Sequence, residues 1–219
     1  MADETQLRES APPTKAGKDE RREAIVAIAK EVFATNGYAG TSMSNIAARV
    51  GGSKATLYSY FKSKQELFEA VVEKKCELIE RLLNEAQIES GGNLRAVLTH
   101  FGQHFLELIL SEEMITTHRL TIAEAARFPE IGHTIYNSGV RPNHNRIAGF
   151  LEQAKQRGQL RSDAEATFAA EQFCDLCLSG LHRRCLWNVC PCPTAEEIRA
   201  NVARAVEVFM RAYASAAVS

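Results

Sequence analysis

Residues 37–68 read GYAGTSMSNIAARVGGSKATLYSYFKSKQELF, two short helical patterns joined by a pair of glycines and followed by the start of a third helix. Ser42 can cap the first helix, whose apolar residues recur at the spacing of one helical face. Gly51 can adopt the left-handed conformation that ends a helix, and Ser53 can then cap a second helix that begins at Lys54. Two capped helices across so short a turn predict a helix-turn-helix.

The charge of this stretch is one-sided. No Asp or Glu occurs between Glu31 and Glu66, although the formal net charge of the whole chain is −1. A local positive surface of this kind is expected where a protein meets phosphates. Leu57 and Phe61 are predicted to face inward, which leaves small, polar and aromatic side chains on the outside of the second helix. That outer surface suits the major groove of DNA, whereas the alternative is a small helical hairpin with a solvated polar face.

The amino-acid sequence of this segment resembles that of a known protein family. Preceded by RREAIVAIAKEVFATNGY, the run TSMSNIAARVGGSKATLYSYFKSKQELF closely resembles the N-terminal DNA-binding domain of the tetracycline repressor family of bacterial transcription regulators, over about residues 21–70. The matching residues stand at fixed spacing and are Phe33, Gly37, Tyr38, Ile46, Ala47, Gly51, Thr56, Leu57, Tyr58, Tyr60, Phe61, Ser63 and Lys64. Gly52 departs from the family pattern, in which an apolar residue is usual, and is expected to loosen the turn slightly.

The resemblance also implies which residues meet DNA. It places one group of residues near the DNA, a second against base edges and a third against phosphates. These groups are Ser42, Met43 and Ser44 near the DNA, Lys54 and Ala55 at base edges, and Thr56, Tyr58, Tyr60 and Lys64 at phosphates.

The whole chain is expected to be all-α, because its apolar residues keep a helical spacing almost throughout. Residues 1–18 are polar and lack an apolar period, so they are predicted to form a disordered tail. We expect the helix-turn-helix DNA-binding domain at residues 19–66 and a larger helical regulatory and dimerisation domain at residues 67–219. The chain has neither the apolar core of a signal peptide nor an apolar run of about 18 residues. A cytoplasmic protein without a membrane partner is therefore expected.

The larger domain is predicted to consist of long helices with short breaks. The helix that opens at Ser63 continues to about Ala86 and links the two domains. Further helices are predicted at about 94–110, 113–127 and 129–157, the last with a kink or split at Pro142.

The last two helices are expected to begin at capping boxes, Ser162 with Glu165 and Thr194 with Glu197. The first of them contains FCDLCLSGLHRRCLW and is apolar on more than one side, so it lies either in a deep core or against another chain. In the family that the chain resembles, these two helices build the interface of a homodimer. A two-fold dimer places two recognition helices about 34 Å apart on a palindromic DNA site.

Six cysteines occur, namely Cys76, Cys174, Cys177, Cys185, Cys190 and Cys192. In a cytoplasmic protein they are expected to be reduced. The spacing of Cys174 and Cys177 resembles that of zinc ligands, but on one continuous helix Cys185 would lie about 16 Å from Cys174, too far for a shared ion. These three are therefore interpreted as small core residues. Cys190 and Cys192, in a proline-containing loop, are candidates for an exposed thiol that senses oxidants.

His100 and His104 stand four residues apart on one predicted helix, a spacing that can bind a metal ion. Such pairs are more often ordinary polar or core positions. No metal site and no cofactor are therefore predicted.

A small-molecule pocket has candidate residues but no signature motif. The candidates are apolar or half-polar residues that could line a cavity between helices, and each could equally be a core residue. They are Phe101, Phe105, Met114, His118, Phe128, Tyr136, Phe150 and Phe173. The resemblance implies that an effector bound here moves the DNA-reading domains apart and releases the operator.

The sequence thus favours a homodimeric transcription regulator, and the resemblance implies a repressor that a small-molecule effector releases from a palindromic operator. The alternative is a cysteine- or histidine-based metal or redox-sensing protein. No enzyme is predicted, because the chain has no phosphate loop, nucleophile elbow or HExxH motif.

Overall fold

The computed structural model describes residues 15–189 and 191–216. Within them the helices are α1 (Lys15–Asn36), α2 (Met43–Val50), α3 (Lys54–Tyr60), α4 (Lys64–Glu89), α5 (Leu94–Ile109), α6 (Glu112–Ala125), α7 (Pro129–Thr134), a π-helical turn (Ile135–Val140), α8 (Arg141–Gln156), α9 (Ala166–Leu178), α10 (Leu181–Leu186) and α11 (Ala195–Tyr213). No β-strand occurs among the described residues, and the all-α prediction is confirmed. Residues 15–18 form the first turn of α1 rather than the end of a tail, and the rest of the predicted tail lies outside the described residues.

The head, which we define as α1 to α3 with the first two turns of α4, has the caps that its sequence predicts. Ser42 Oγ accepts the N–H of Asn45 at 3.2 Å, and Ser53 Oγ accepts the N–H of Thr56 at 3.0 Å. Gly51 ends α2 with a φ of +71°, in the left-handed region that favours glycine. The turn between the two helices is therefore specified by local chemistry.

Packing inside the head follows the predicted inner face. Leu57 and Phe61 are buried, and they belong to an apolar cluster that joins α1, α2, α3 and the start of α4. Ser63 Oγ accepts the N–H of Glu66 at 3.0 Å, and the Glu66 carboxylate in turn accepts the N–H of Lys62 at 2.7 Å. These hydrogen bonds fix the short connection between α3 and α4.

The body, which we define as the remainder of the described chain, is organised around aromatic side chains from three helices. Phe101 on α5, Phe173 on α9 and Phe209 on α11 are completely buried. The ring centroid of Phe173 lies 6.4 Å from that of Phe101 and 5.4 Å from that of Phe209. The link between head and body is α4, which runs from the head into this core and packs against α5.

Two sequence predictions about the last helices were wrong. Ser162 does not open a helix, because α9 begins at Ala166 with Glu165 as its cap. The segment before α9 packs against the C-terminal end of α11 instead, since the N–H of Arg161 donates to the carbonyl of Tyr213 at 2.9 Å. The stretch FCDLCLSGLHRRCLW is not one continuous helix either, because it breaks at Gly180, which has a φ of +81°.

Other predictions for the body are confirmed. The capping box of Thr194 and Glu197 opens α11. Cys174, Cys177 and Cys185 are buried in the core of the body. The break of the long segment at Pro142 is also present, in the form of a π-helical turn between α7 and α8.

Candidate DNA interface and ligand cavity

The second helix of the helix-turn-helix, α3, presents its predicted DNA-facing side chains to solvent. Lys54, Ala55, Thr56 and Tyr58 are exposed, and the ammonium of Lys54 lies 5.8 Å from the ring centroid of Tyr58. Tyr60 is half-buried against the head. An exposed first turn that carries an amine, a methyl and a hydroxyl has the chemistry needed to meet base edges and phosphates.

The N-terminus of α2 supplies two of the three residues expected there. Ser42 and Ser44 are exposed, whereas Met43 is buried with 6% of its surface accessible. Met43 belongs to the apolar cluster of the head, so its side chain is not available to DNA.

Lys64 is held inside the head by two carbonyl groups. Its ammonium donates to the carbonyls of Tyr38 at 2.8 Å and Thr41 at 3.1 Å, and it lies 4.1 Å from the Tyr38 ring centroid. Burial lowers the pKa of Lys64. The side chain therefore ties the loop before α2 to the first turn of α4, a structural task that its place in the motif does not reveal.

Arg21 and Arg22 are head residues that the sequence did not single out. The guanidinium of Arg21 donates to the carbonyl of Val50 at 3.2 Å, at the end of α2. The guanidinium of Arg22 lies 4.9 Å from the ring centroid of Phe61. Both contacts join residues far apart in sequence, so no local pattern could have indicated them.

A cavity of about 270 Å³ lies where the head meets the body. Its wall is mainly apolar and includes side chains of the head, such as Phe33, Tyr38 and Phe68. The body contributes residues from α4, α5, α6 and the segments that follow. A mostly apolar cavity with a few polar groups is the usual form of a small-molecule site.

Three of the predicted pocket residues line this cavity, namely Phe105, Met114 and His118. Phe101, Phe150 and Phe173 are buried in the core of the body and do not line it. Phe128 packs against the core of the head, and Tyr136 is 53% exposed. Helical spacing indicates that a side chain is buried, but it does not indicate whether the side chain faces the core or a cavity.

A half-buried lysine, Lys75, provides one polar group of the cavity wall. The ammonium of Lys75 lies 3.3 Å from a carboxylate oxygen of Glu113, which also pairs with Lys30 of the head at 3.0 Å. Burial lowers the pKa of Lys75. No sequence motif marks this lysine, which lies on α4, the long helix that links the head to the body.

Two histidines form a second polar group. Nδ1 of His118 lies 3.1 Å from Nε2 of His182, which fits a hydrogen bond between neutral rings. Burial is the main cause that lowers the pKa of His118 to about 4, and burial also lowers that of His182. Both rings therefore face the cavity as neutral donors and acceptors at neutral pH.

Glu124 connects α6 of the body to the head beside the cavity. Its carboxylate accepts the N–H of Tyr38 at 2.7 Å and the N–H of Ala39 at 3.2 Å. Gly37 makes this approach possible, because a Cβ at Gly37 would lie only 2.6 Å from Oε1 of Glu124. Gly37, Tyr38 and Glu124 all line the cavity, so a bound molecule would touch the contact between head and body.

Residues 15–189 and 191–216 contain neither a metal-binding cluster of three or more side chains nor a membrane-spanning helix. No group of three or more His, Cys, Asp or Glu side chains in these ranges is placed to hold a metal ion. Over the same residues, no helix combines the length and the apolar character needed to cross a membrane. Of the two candidate redox thiols, Cys192 is exposed and Cys190 lies outside the described residues.

Two family models match the chain. One, described as bacterial regulatory proteins of the tetR family, matches residues 25–71. The other, described as the C-terminal domain of AefR-like transcriptional repressors, matches residues 96–215, which is more than half of the chain. The chain belongs to the tetracycline repressor (TetR) family of transcription regulators. Members of the TetR family bind DNA and small-molecule effectors and function as dimers.

Individual relatives of this TetR-family chain agree with the assignment. The transcriptional activator FasR of Mycolicibacterium smegmatis is 46% identical over 57 residues, which are 26% of each chain. The chain thus covers about a quarter of the length of that curated relative. A TetR-family regulator from Mesorhizobium loti has the same fold, with a TM-score of 0.78 at 23% identity over 92% of this chain and all of that one. The flavonoid-responsive regulator FrrA has a TM-score of 0.74 at 28% identity, over 90% of this chain and 98% of its own.

Proposed function

We propose that this protein is a homodimeric transcription repressor that a small-molecule effector releases from a palindromic operator. The observation that carries the proposal is the cavity whose wall includes Gly37 and Tyr38 of the head together with Glu124 of the body. A ligand in this cavity would touch the contact between Glu124 and the loop at Gly37 and Tyr38, and this contact helps to position the head that carries α3. Because the partner is chromosomal DNA, we expect the protein in the cytoplasm.

For the DNA interface, we assign base contacts to Lys54 and Ala55, because both lie on the exposed first turn of α3. Thr56 and Tyr58, exposed on the same helix, are assigned to phosphates. The half-buried Tyr60 and Lys64 are proposed to reach phosphates as well, which for Lys64 requires that its ammonium leave the carbonyls of Tyr38 and Thr41. Ser42 and Ser44 complete the interface. Met43 is left out, because its side chain belongs to the core of the head.

The dimer is proposed to form through α9 and α11. Phe168 on α9 and Val208 on α11 are about half exposed, at 52% and 51% of their surfaces, and a second copy would cover them. Each head carries a single short recognition helix. Two copies related by a two-fold axis would double the number of contacts to a palindromic site.

The effector is proposed to be a mainly apolar, aromatic molecule with a few hydroxyl or other hydrogen-bonding groups. The apolar wall of the cavity would hold its rings, while Lys75, His118 and His182 offer polar contacts. The related regulator FrrA is described as flavonoid-responsive, which is the same broad chemical class. Occupancy is proposed to strain the contact of Glu124 with Tyr38 and to turn the heads away from operator spacing.

The test is a binding titration of the purified protein with the DNA that flanks its own coding region, using scrambled DNA as the control. Specific binding should persist at moderate salt and should be lost when an effector is added. Lys54→Ala and Tyr58→Ala should each weaken specific binding at least 10-fold. Arg81→Ala, on an exposed position of α4 in the body, should leave it unchanged. Equal affinity of the wild type for both DNAs, or no effect of Lys54→Ala and Tyr58→Ala, would contradict the proposed interface.

A further inference from the structure

A pair of histidines on α5 forms a cluster outside the DNA interface and the cavity. Nε2 of His100 lies 3.0 Å from Nε2 of His104, one helical turn further on. Nδ1 of His100 lies 3.0 Å from Oε2 of Glu89, and Nδ1 of His104 lies 3.3 Å from Oε2 of Glu107. Each imidazole is therefore held on its far side by a carboxylate, and the two remaining nitrogens face each other.

The carboxylates determine what the facing nitrogens can do. An ionised carboxylate only accepts hydrogen bonds, so each Nδ1 carries the proton of its ring. In a neutral ring, Nε2 then presents a lone pair. Two lone pairs 3.0 Å apart repel each other unless a positive charge lies between them, and either a proton or a metal ion can supply that charge. Histidines that bind metals usually donate their other N–H to a carboxylate, which is the arrangement of both rings here.

We propose that His100 and His104 bind one divalent transition-metal ion through their Nε2 atoms, with Glu89 and Glu107 as positioning residues. Bonds of about 2.0–2.1 Å to two nitrogens 3.0 Å apart meet at the metal at an angle of about 94°. An angle near 90° suits two neighbouring positions of tetragonal Cu²⁺ or octahedral Ni²⁺ better than tetrahedral Zn²⁺. Cu²⁺ is therefore expected to bind more tightly than Ni²⁺ or Zn²⁺.

The surroundings of the pair fit a site that is open to solvent. The side chains of His100 and His104 are 23% and 39% exposed, beside a shallow depression that also includes Thr99 and Gln103. The carboxylates of Glu89 and Glu107 offset the charge of a divalent ion. No third His, Cys, Asp or Glu in the described part of the chain completes the site, so water is expected to fill the remaining coordination positions.

The first test is calorimetric titration of the full-length, untagged, metal-free protein with Ni²⁺. Every protein carries Cys192→Ser, so that the exposed thiol of Cys192 does not compete for the metal. One ion per chain should bind, and the double variant His100→Asn/His104→Asn should bind it at least 10-fold more weakly. His133→Asn is the matched control, since it removes an exposed histidine elsewhere and should leave affinity unchanged.

The second test distinguishes the positioning residues and does not depend on DNA binding. Electron paramagnetic resonance of the Cu²⁺-loaded protein should show hyperfine splitting from two imidazole nitrogens. Glu89→Gln and Glu107→Gln should keep that spectrum but weaken metal affinity about 10- to 100-fold. Wild-type affinity and spectrum in the double histidine variant would overturn the proposal. Failure of the Cys192→Ser protein with both histidines intact to bind one metal ion per chain would also overturn it.

Discussion

The carboxylate of Glu124 joins the body to the head beside Gly37. Gly37 has a φ of +68°, and an added Cβ would also meet Glu124 Oε1 at 2.6 Å. The Glu124 carboxylate ends a flexible side chain and can move aside, so Gly37→Ala is expected to lower the free energy of unfolding by about 2–3 kcal/mol, from backbone strain and from weakened hydrogen bonds of Glu124. Gly158→Ala is the control, because Gly158 has a φ of +73° and nothing within 4 Å, so only the strain of about 1 kcal/mol applies.

The same contact can be tested by urea unfolding of a double-mutant cycle. Glu124→Ala removes the acceptor of the Tyr38 and Ala39 N–H groups, and it also removes the atoms that a methyl group at Gly37 would meet. The free energy of unfolding of the double variant should therefore fall by less than the two single variants' decreases added together, and the difference should be at least about 1 kcal/mol. Additive losses would show that Glu124 does not constrain Gly37.

His118 makes stability depend on pH. Its pKa is lowered to about 4 in the folded chain, mainly by burial and then by the charge of His182, whereas an unfolded histidine titrates near 6.5. Between these values the unfolded chain binds a proton that the folded chain does not, so stability falls as the pH drops from about 6.5 to 4. The loss amounts to up to about 3 kcal/mol for this residue.

The measurement is denaturant unfolding at pH 7 and pH 5, at one fixed protein concentration. Lys75 and His182 are the charged or titratable groups that act on His118, and both remain in the variant His118→Asn. The drop in stability between the two pH values should be smaller in this variant than in the wild type. An equal drop in both proteins would assign the pH dependence to other groups.

At the scale of helices, sequence patterns correctly predicted those helix N-termini that are set by hydrogen bonds between neighbouring residues. The caps at Ser42, Ser53 and Thr194 are side chains that bond N–H groups within three residues, so their signals lie in the sequence itself. Ser162 has the same local signal, yet α9 begins after it, because a bond from Arg161 to Tyr213 holds the segment in place. The cavity wall was only partly predicted for the same reason, since its polar groups come from helices far apart in sequence.

Whether a cysteine is buried inside a helix or exposed in a loop predicts how fast its thiol reacts. Cys174 and Cys177 lie inside α9 and are buried, and burial raises the pKa of both thiols, that of Cys177 to about 12. Cys192 is exposed in the loop before α11. A thiol reagent should therefore label Cys192 in the folded protein within minutes, and should reach Cys174 and Cys177 only after unfolding.

Peptide mass spectrometry after brief labelling identifies the modified residues. Early labelling of Cys174 or Cys177 would mean that α9 opens readily. Comparing the DNA affinity of oxidised wild type with that of oxidised Cys192→Ser then tests the redox alternative. An equal affinity in both would exclude a sensing role for Cys192.

At the scale of the whole molecule, the proposed dimer determines whether one short recognition helix can hold an operator. Phe168→Glu and Val208→Glu each place a charge on the exposed apolar surface of α9 or α11, where burial of an unpaired carboxylate is costly. Either variant should shift the protein toward a monomer in light scattering at micromolar concentration and weaken operator binding at least 100-fold. Ile122→Glu is the matched control, because Ile122 is 62% exposed and belongs to α6, which is neither of the two proposed interface helices, and this variant should remain a dimer with wild-type affinity. A wild-type monomer at micromolar concentration would contradict the dimer, and dimeric variants at both positions would move its interface away from α9 and α11.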